Sequence, residues 1–225
     1  IKWVYFLKGI RIKRFLMKKI ISEVSDSISK SINDMVYSKD IEPDRKVSNL
    51  VFIDWRNILT EPPENNSEIT REELKRLAKL TTNRTDKQLE ISMLVDNKVE
   101  DLFIPYLEKY NLSFPRETIE KLYDTVIFPV VMNLKWQYNR PRPYQLNTKL
   151  GIDIDHIETE THNTPSYPSG HTAYGVMLAA FLSEIYPSHS SRFARKIQGV
   201  HYSSDNDAAM IIVGALWRDV RFNFI

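Results

Sequence analysis

The sequence predicts an all-α protein, a bundle of helices. Over most of its 225 residues, apolar side chains recur at spacings of three and four, and runs that alternate apolar with polar residues are few. At two places a threonine stands three positions before a glutamate or glutamine, the pattern of a capping box at a helix start. These observations favour a helical bundle over a fold that contains a β-sheet.

The first part of the chain is predicted to hold a basic helical segment followed by an irregular connection. Residues 1–37 predict one or two amphipathic helices. Residues 38–69 contain three prolines and predict an irregular connection around the short apolar piece LVFIDW. We therefore divide the chain into an N-terminal segment, 1–69, and a helical domain, 70–225, and expect the two to form one compact domain.

Two capping boxes predict the first helices of the larger part. Thr70 with Glu73 and Thr85 with Gln88 place a hydroxyl and a carboxylate or amide where they satisfy the free N–H groups of a first helical turn. We expect one helix to begin at each threonine.

Three further helices are predicted towards the C-terminus. Ser113 before Pro115 indicates a helix start, and the apolar pattern that follows runs through residues 119–136 with a kink at Pro129. The next helix is expected over residues 171–185, and the last over residues 204–217.

Charge and composition exclude several classes of protein. The formal net charge is +2, but residues 1–24 carry +6 and the remaining residues −4. We therefore expect no nucleic-acid partner, because such proteins carry a broad basic surface. The basic segment fits a membrane surface, an acidic protein partner or a solvated helix face. The chain has no cysteine, which excludes disulfides, thiolate metal sites and cysteine nucleophiles.

Hydropathy predicts a soluble chain. No apolar run approaches the roughly 18 residues that cross a bilayer, and the longest run near the N-terminus, residues 3–7, is too short for the core of a signal peptide. We expect no transmembrane helix and no signal peptide in this chain. Neither its compartment nor its oligomeric state can be predicted from these patterns.

The first stretch that carries chemistry is KWQYNRPRPY. It places Lys135 at the end of a predicted helix and Arg142 seven positions later, between two prolines. The prolines fix the backbone of the arginine, which lowers the entropy lost when its guanidinium clamps an anion. Two solvated cations that complete the dipole of a helix end would give the same pattern.

The second stretch, SYPSGHTAYG, contains Ser169, Gly170 and His171 at the start of an apolar helix. Free backbone N–H groups at a helix start bind anions, and glycine lets an oxyanion approach the backbone closely. A serine cap beside an incidental histidine is the simpler interpretation of this stretch alone.

The third stretch, ARKIQGVHYSSDNDAA, holds Arg195, His201 and Asp205. On a helix, residues four apart share a face, so Asp205 would accept the Nδ1–H of His201 and leave its Nε2 free to act as a nucleophile or base. A surface pair of histidine and aspartate has the same spacing.

Together the stretches read K-x6-RP over 135–143, PSGH over 168–171 and R-x5-H-x3-D over 195–205. In this order they resemble the signature of the superfamily of type 2 phosphatidic acid phosphatases, bacterial class A nonspecific acid phosphatases and vanadium-dependent haloperoxidases. SYPSGHTAYG and FLSEIYP are most similar to the soluble acid phosphatases. The resemblance covers about the last 90 residues and implies the all-α fold of that superfamily.

The sequence departs from the superfamily pattern at two small residues. Ala194 stands where a serine usually precedes the arginine, and Ala209 stands where the family usually has glycine. Because every charged and imidazole position is kept, we expect packing adjustments rather than loss of activity.

The resemblance implies a phosphatase that hydrolyses phosphate monoesters without a metal. It assigns catalytic roles to His201 as the nucleophile that forms a phosphohistidine, to His171 as general acid and base, and to Asp205 as the group that orients His201.

The resemblance also implies which residues bind the phosphate. The phosphate pocket would consist of Lys135, Arg142, Ser169, Gly170 and Arg195, which would neutralise the phosphoryl oxygens. No metal ligand and no cofactor are expected, and the substrate would be a phosphorylated small molecule or lipid.

Two other functions stay open. One is a vanadium-dependent haloperoxidase, in which vanadate would bind at His201, although such enzymes are usually much longer chains. The other is a catalytically repurposed structural or binding component of a larger assembly, which would dock through residues 1–24.

Several residues near the motifs are assigned no catalytic role. Arg140 lies close enough to compete for the phosphate, but the motif spacing selects Arg142. The stretch DIDHIETE, with His156, is interpreted as a solvated loop rather than a metal cluster. Tyr138, Tyr144 and Tyr167 are expected in the core or at the pocket rim.

Overall fold

The computed structural model describes residues 2–39, 53–157, 163–189 and 202–224. Within these ranges all regular structure is helical and no strand occurs, which confirms the predicted fold class. The α-helices of these ranges are α1 (Lys2–Asn33), α2 (Glu68–Thr82), α3 (Asp86–Asn97), α4 (Ile104–Lys109), α5 (Arg116–Leu122), α6 (Phe128–Tyr138), α7 (Pro143–Leu150), α8 (Gly170–Ile185) and α9 (Ser203–Phe224).

Helix α8 forms the centre of the larger hydrophobic core. It is apolar over most of its surface and packs along α9 and against α6. Met177 and Leu178 of α8 are fully buried, together with Leu134 of α6 and Ile212 of α9. A helix that is apolar on all sides is stable only when other elements surround it. The start of α8 is therefore held in place by the core behind it.

A smaller core joins the N-terminal helix to the rest of the molecule. The amide of Asn65 donates to the backbone oxygens of Ile32, Asn33 and Met35, at distances of 2.8 to 3.2 Å. These contacts fix the end of α1 beside α2 and α7. The apolar members of this core are Ile32, Leu74, Leu146, Leu150, Ile154 and Tyr202.

The N-terminal basic segment lies on one continuous helix, α1. From residue 17 onwards its apolar side chains recur at helical spacing, and Met17, Ile21, Val24 and Ile28 are exposed. The division at residue 69 and the partner of residues 1–24 stay predictions.

One predicted capping box is confirmed and one is wrong. Thr85 and Gln88 form both hydrogen bonds of a capping box at the start of α3. Helix α2 instead begins one turn before Thr70, because the hydroxyl of Ser67 accepts the N–H of Thr70 at 3.2 Å. Glu73 is thereby buried within α2, away from the helix start.

The helix predicted around Pro129 differs in detail from the expectation. Ser113 does not cap it, since Pro115 occupies the N-cap position of α5 and makes no side-chain cap bond. A π-helical turn, Tyr123–Ile127, joins α5 to α6 directly before Pro129. Proline has no N–H to donate, so the irregular turn lies where a helical hydrogen bond is missing.

Candidate active site

Two buried cations stand at the first motif. Lys135 lies in the last turn of α6, with its side chain 3% exposed, and its Nζ donates to the backbone oxygens of Pro165 (2.5 Å) and Ser166 (3.3 Å). Its Cε lies 3.9 Å from the position that a Cβ would take at Gly170. The lysine therefore lies directly against the start of α8.

Arg142 is positioned by the turn between α6 and α7. Asn139 ends α6 in the left-handed conformation, with φ of 46°, and Pro143 begins α7 immediately after the arginine. The Nε of Arg142 donates to the backbone oxygen of Thr164 at 2.9 Å. The turn fixes the backbone of Arg142, and the hydrogen bond to Thr164 fixes its guanidinium.

Burial acts against the charged form of both cations, and the nearby charge of Asp205 partly offsets it. Burial lowers the pKa of Lys135 well below its usual value, and the charge of Arg142 lowers it further. Burial also lowers the pKa of Arg142. Within the described part of the chain, no salt bridge joins either residue to a carboxylate. Buried positive charge of this kind favours an anion as ligand.

The second motif forms the N-terminus of α8. The Ser169 hydroxyl accepts the N–H of Thr172 at 3.2 Å and donates to its Oγ1 at 2.9 Å. The Ser169 N–H donates to the backbone oxygen of Asp205 at 3.1 Å. Ser169 is therefore an N-cap, which was the simpler interpretation of this stretch, and its backbone joins the second motif to the third.

His171 lies in the first turn of α8, partly buried, and faces Asp96 of α3. Its Nε2 is 3.1 Å from the backbone oxygen of Asp96 and 3.7 Å from Oδ1 of the same residue. Burial lowers the pKa of His171, the contacts with Asp96 raise it, and the nearby charges of Arg142 and Lys135 lower it. The net effect favours the neutral imidazole.

Asp205 is fully buried in the first turn of α9 and is held by two donors. Its Oδ1 accepts from Nη1 of Arg140 at 2.7 Å, and its Oδ2 accepts from the Ser166 hydroxyl at 2.5 Å. The other side of the Arg140 guanidinium reaches Oε2 of Glu73 at 3.1 Å. Arg140 therefore pairs with two carboxylates, and the anion-binding role of Arg142 stays a prediction.

Helix α9 begins at Ser203, and Asp205 lies in its first turn. His201 and Arg195, as well as Ala194, lie outside the described residues. Their predicted roles stay predictions.

The structure brings together the remaining predicted site residues. Lys135 and Gly170 meet at the start of α8, Arg142 and Lys135 both act on the pKa of His171, and Asp205 bonds the backbone of Ser169. Ala209, the second departure from the motif pattern, is fully buried in the core.

Sequence reasoning missed the two carboxylates that complete this arrangement, Glu73 and Asp96. Each lies more than 60 residues from its partner, at separations of 67 and 75 residues. In the sequence, Glu73 fits a capping box with Thr70, which hides its role as a partner of Arg140. Asp96 belongs to no motif, so its position in the sequence does not distinguish it from a solvated residue.

The acidic loop before the second motif does not form a cluster in its described part. Asp155 pairs with Arg84 at 2.9 Å, and the ring of His156 stacks on Tyr144 with centroids 4.5 Å apart. Tyr138 and Tyr167 contact each other edge to face, and Tyr167 is buried. Among the residues that the structure describes, no group of three His, Cys, Asp or Glu could hold a metal ion.

None of the helices in the described ranges has the length and apolar character needed to cross a membrane.

The segment that carries the three motifs is similar to known proteins. Residues 125–220 match the model of the PAP2 superfamily. Non-specific acid phosphatases are similar to this chain: that of Salmonella typhimurium is 38% identical over 87 residues, and that of Providencia stuartii is 38% identical over 93 residues. The matches cover 35% of this chain and 34% and 35% of the two relatives. The chain thus matches about a third of the length of these relatives, and its motif-bearing segment, residues 125–220, is similar to the PAP2 superfamily.

Proposed function

We propose that this chain is a phosphatase that hydrolyses phosphate monoesters through a phosphohistidine at His201. The observation that carries the proposal is the pair of buried cations, Lys135 and Arg142, which lack a carboxylate partner in the described ranges and lie beside His171. The similarity of residues 125–220 to acid phosphatases supports the same chemistry.

In the first step, Nε2 of His201 attacks phosphorus and the bond from phosphorus to the ester oxygen breaks. The proton of His171 passes to the departing oxygen, so that an alcohol leaves. Asp205 accepts the Nδ1–H of His201 and stabilises the positive ring. Its own position is supported by the bonds from Arg140 and Ser166.

In the second step, the neutral His171 removes a proton from water. The resulting hydroxide attacks phosphorus, the bond to His201 breaks, and inorganic phosphate is released with both histidines restored.

The charge that develops on the phosphoryl oxygens is met by fixed positive groups. Lys135, Arg142 and Arg195 would supply three cations, and the N–H of Gly170 would supply a donor at the positive end of α8. Since Ser169 caps the helix, its hydroxyl would contribute to phosphate binding only while it also bonds Thr172. The proposed reaction uses no metal or cofactor.

The test is hydrolysis of p-nitrophenyl phosphate by the purified chain in the presence of EDTA. We expect nitrophenol release from the wild type and a loss of at least about a thousandfold in His201→Ala, because the nucleophile is removed. His189→Gln is the control, since His189 bonds Tyr106 and lies outside the motifs.

Other outcomes distinguish the alternatives. Activity that disappears with EDTA contradicts the metal-free reaction, and full activity in His201→Ala contradicts the nucleophile. Bromination that depends on peroxide and added vanadate would indicate a haloperoxidase. A folded chain without turnover of any phosphate ester would indicate a binding component.

A further inference from the structure

Arg140 is buried between two carboxylates that come from different parts of the chain. The side chains of Arg140, Glu73 and Asp205 are 1%, 7% and 0% exposed. Nη1 of Arg140 donates to Asp205 and Nη2 donates to Glu73, at 2.7 and 3.1 Å. The planar guanidinium therefore spans the space between α2 and α9.

Glu73 uses both of its oxygens. While Oε2 accepts from Arg140, Oε1 accepts the backbone N–H of Ser204 at 2.8 Å. That N–H is one of the free donors in the first turn of α9, the turn that carries Asp205. One carboxylate thus holds both the cation that faces Asp205 and the backbone from which Asp205 extends.

Two further contacts, with Tyr202 and Ser204, also hold the guanidinium of Arg140 in place. It lies over the ring of Tyr202, 3.9 Å from the centroid, and Nη1 also donates to the Ser204 hydroxyl at 2.8 Å. Little freedom remains for Arg140 as long as Glu73 holds Nη2, because a buried guanidinium bonded on two sides has one orientation.

We propose that Glu73 is a positioning residue for catalysis, which acts on Asp205 through Arg140 and through the N–H of Ser204. Glu73 touches no reacting atom. It fixes the place and direction of the Asp205 carboxylate, the group that orients His201 in the proposed reaction. This inference rests on the phosphatase function proposed above.

The test is Glu73→Gln, which keeps the shape of the side chain. Arg140 and Ser204 donate to different oxygens of Glu73, and in glutamine one of these positions is an NH2 group that cannot accept, so one of the two hydrogen bonds is lost. We expect kcat for p-nitrophenyl phosphate to fall about tenfold to a hundredfold while KM stays within about twofold, because the phosphate pocket at Lys135 and Arg142 is untouched.

Glu100→Gln is the matched control. Glu100 is also a buried glutamate bonded to an arginine, Arg116, at 2.9 Å, but it lies outside the site. Both variants lose the charge of a buried glutamate that bonds an arginine, although Arg116 is half exposed and Arg140 is buried, so both should melt at a lower temperature than the wild type. Only Glu73→Gln should lose kcat when all three proteins are assayed below their melting temperatures.

A second variant, Arg140→Lys, tests the same connection should Glu73→Gln fail to fold. A single ammonium cannot bond both carboxylates as the two nitrogens of the guanidinium do, so we expect a similar loss of kcat. In the double variant the losses should not multiply, since each single change breaks the same connection.

The inference is overturned if kcat of Glu73→Gln and of Arg140→Lys equals that of Glu100→Gln. It is also overturned if the loss of kcat in the double variant equals the product of the losses in the two single variants. A wild type with no turnover overturns the proposed function instead, and the inference with it. The two failures are thereby distinguished by the wild-type assay.

Discussion

The surroundings of His171 suit a residue that gives and takes a proton. Burial and the charges of Arg142 and Lys135 lower its pKa, while Asp96 raises it. The free imidazole is therefore mainly neutral at pH 7, and its protonated fraction grows as the pH falls. A phosphate dianion bound between the cations would offset their effect and favour the protonated ring, which the first step requires.

The role of His171 is testable through the leaving group. In His171→Asn we expect kcat for glycerol phosphate to fall about a hundredfold or more, because an alkoxide leaves poorly without a proton. Hydrolysis of p-nitrophenyl phosphate should fall much less, since nitrophenolate leaves unprotonated. Equal losses for the two substrates would show that His171 does not act as the acid.

The local structure at individual motif residues was predictable because it depends on residues next to them in the sequence. Ser169 before an apolar helix indicated a cap, and prolines beside Arg142 indicated a fixed backbone, and both features are present. Glu73 and Asp96 were not predictable, because packing across more than 60 residues brings them to the site. The same holds for Arg140, whose partners decide that it supports a carboxylate rather than a phosphate.

Helix starts and ends account for most of the geometry of the site. The end of α6 positions Lys135, the start of α7 follows Arg142, and the starts of α8 and α9 carry His171 and Asp205. Helix ends hold backbone groups without helical partners, so they offer donors that regular helix interiors lack. The sequence predicted the bounds of α8 well, because its apolar run ends before Pro187. It underestimated α9, which continues to Phe224 through residues that are polar in part.

The cap of α8 is tested by Ser169→Ala. We expect the free energy of unfolding to fall by about 1 kcal/mol, because the N–H of Thr172 loses its acceptor. Urea unfolding followed by circular dichroism measures the change.

Ser183→Ala is the control within the same helix. Ser183 donates to the backbone oxygen of Ala179 in the helix interior, so its loss should change stability by less than about 0.5 kcal/mol. Equal effects of the two substitutions would contradict the capping role of Ser169.

The burial of two cations costs free energy in the fold as a whole. Lys135 and Arg142 both have lowered pKa values because burial disfavours their charged forms. An anion that binds between them would recover part of this free energy. Binding and folding stability should therefore be coupled in this protein.

The coupling is tested by thermal unfolding with inorganic phosphate. At a phosphate concentration about a hundred times Kd, the wild type should gain about 2.7 kcal/mol, seen as a higher Tm. Lys135→Met should lose most of this gain, because one of the two cations is absent.

Chloride at equal ionic strength serves as the control for screening by salt. A phosphate-dependent rise in Tm that is the same in Lys135→Met and the wild type would show that phosphate binds elsewhere.

Glu73 on α2 and Asp96 on α3 bear on how activity is inferred for relatives of this chain. Residues 125–220 contain all three motifs, yet Glu73 and Asp96 lie before that segment. A substitution at either position leaves every motif intact. If Glu73 has the role proposed above, intact motifs alone do not identify an active relative, and natural variants that change Glu73 should lose activity while every motif is kept.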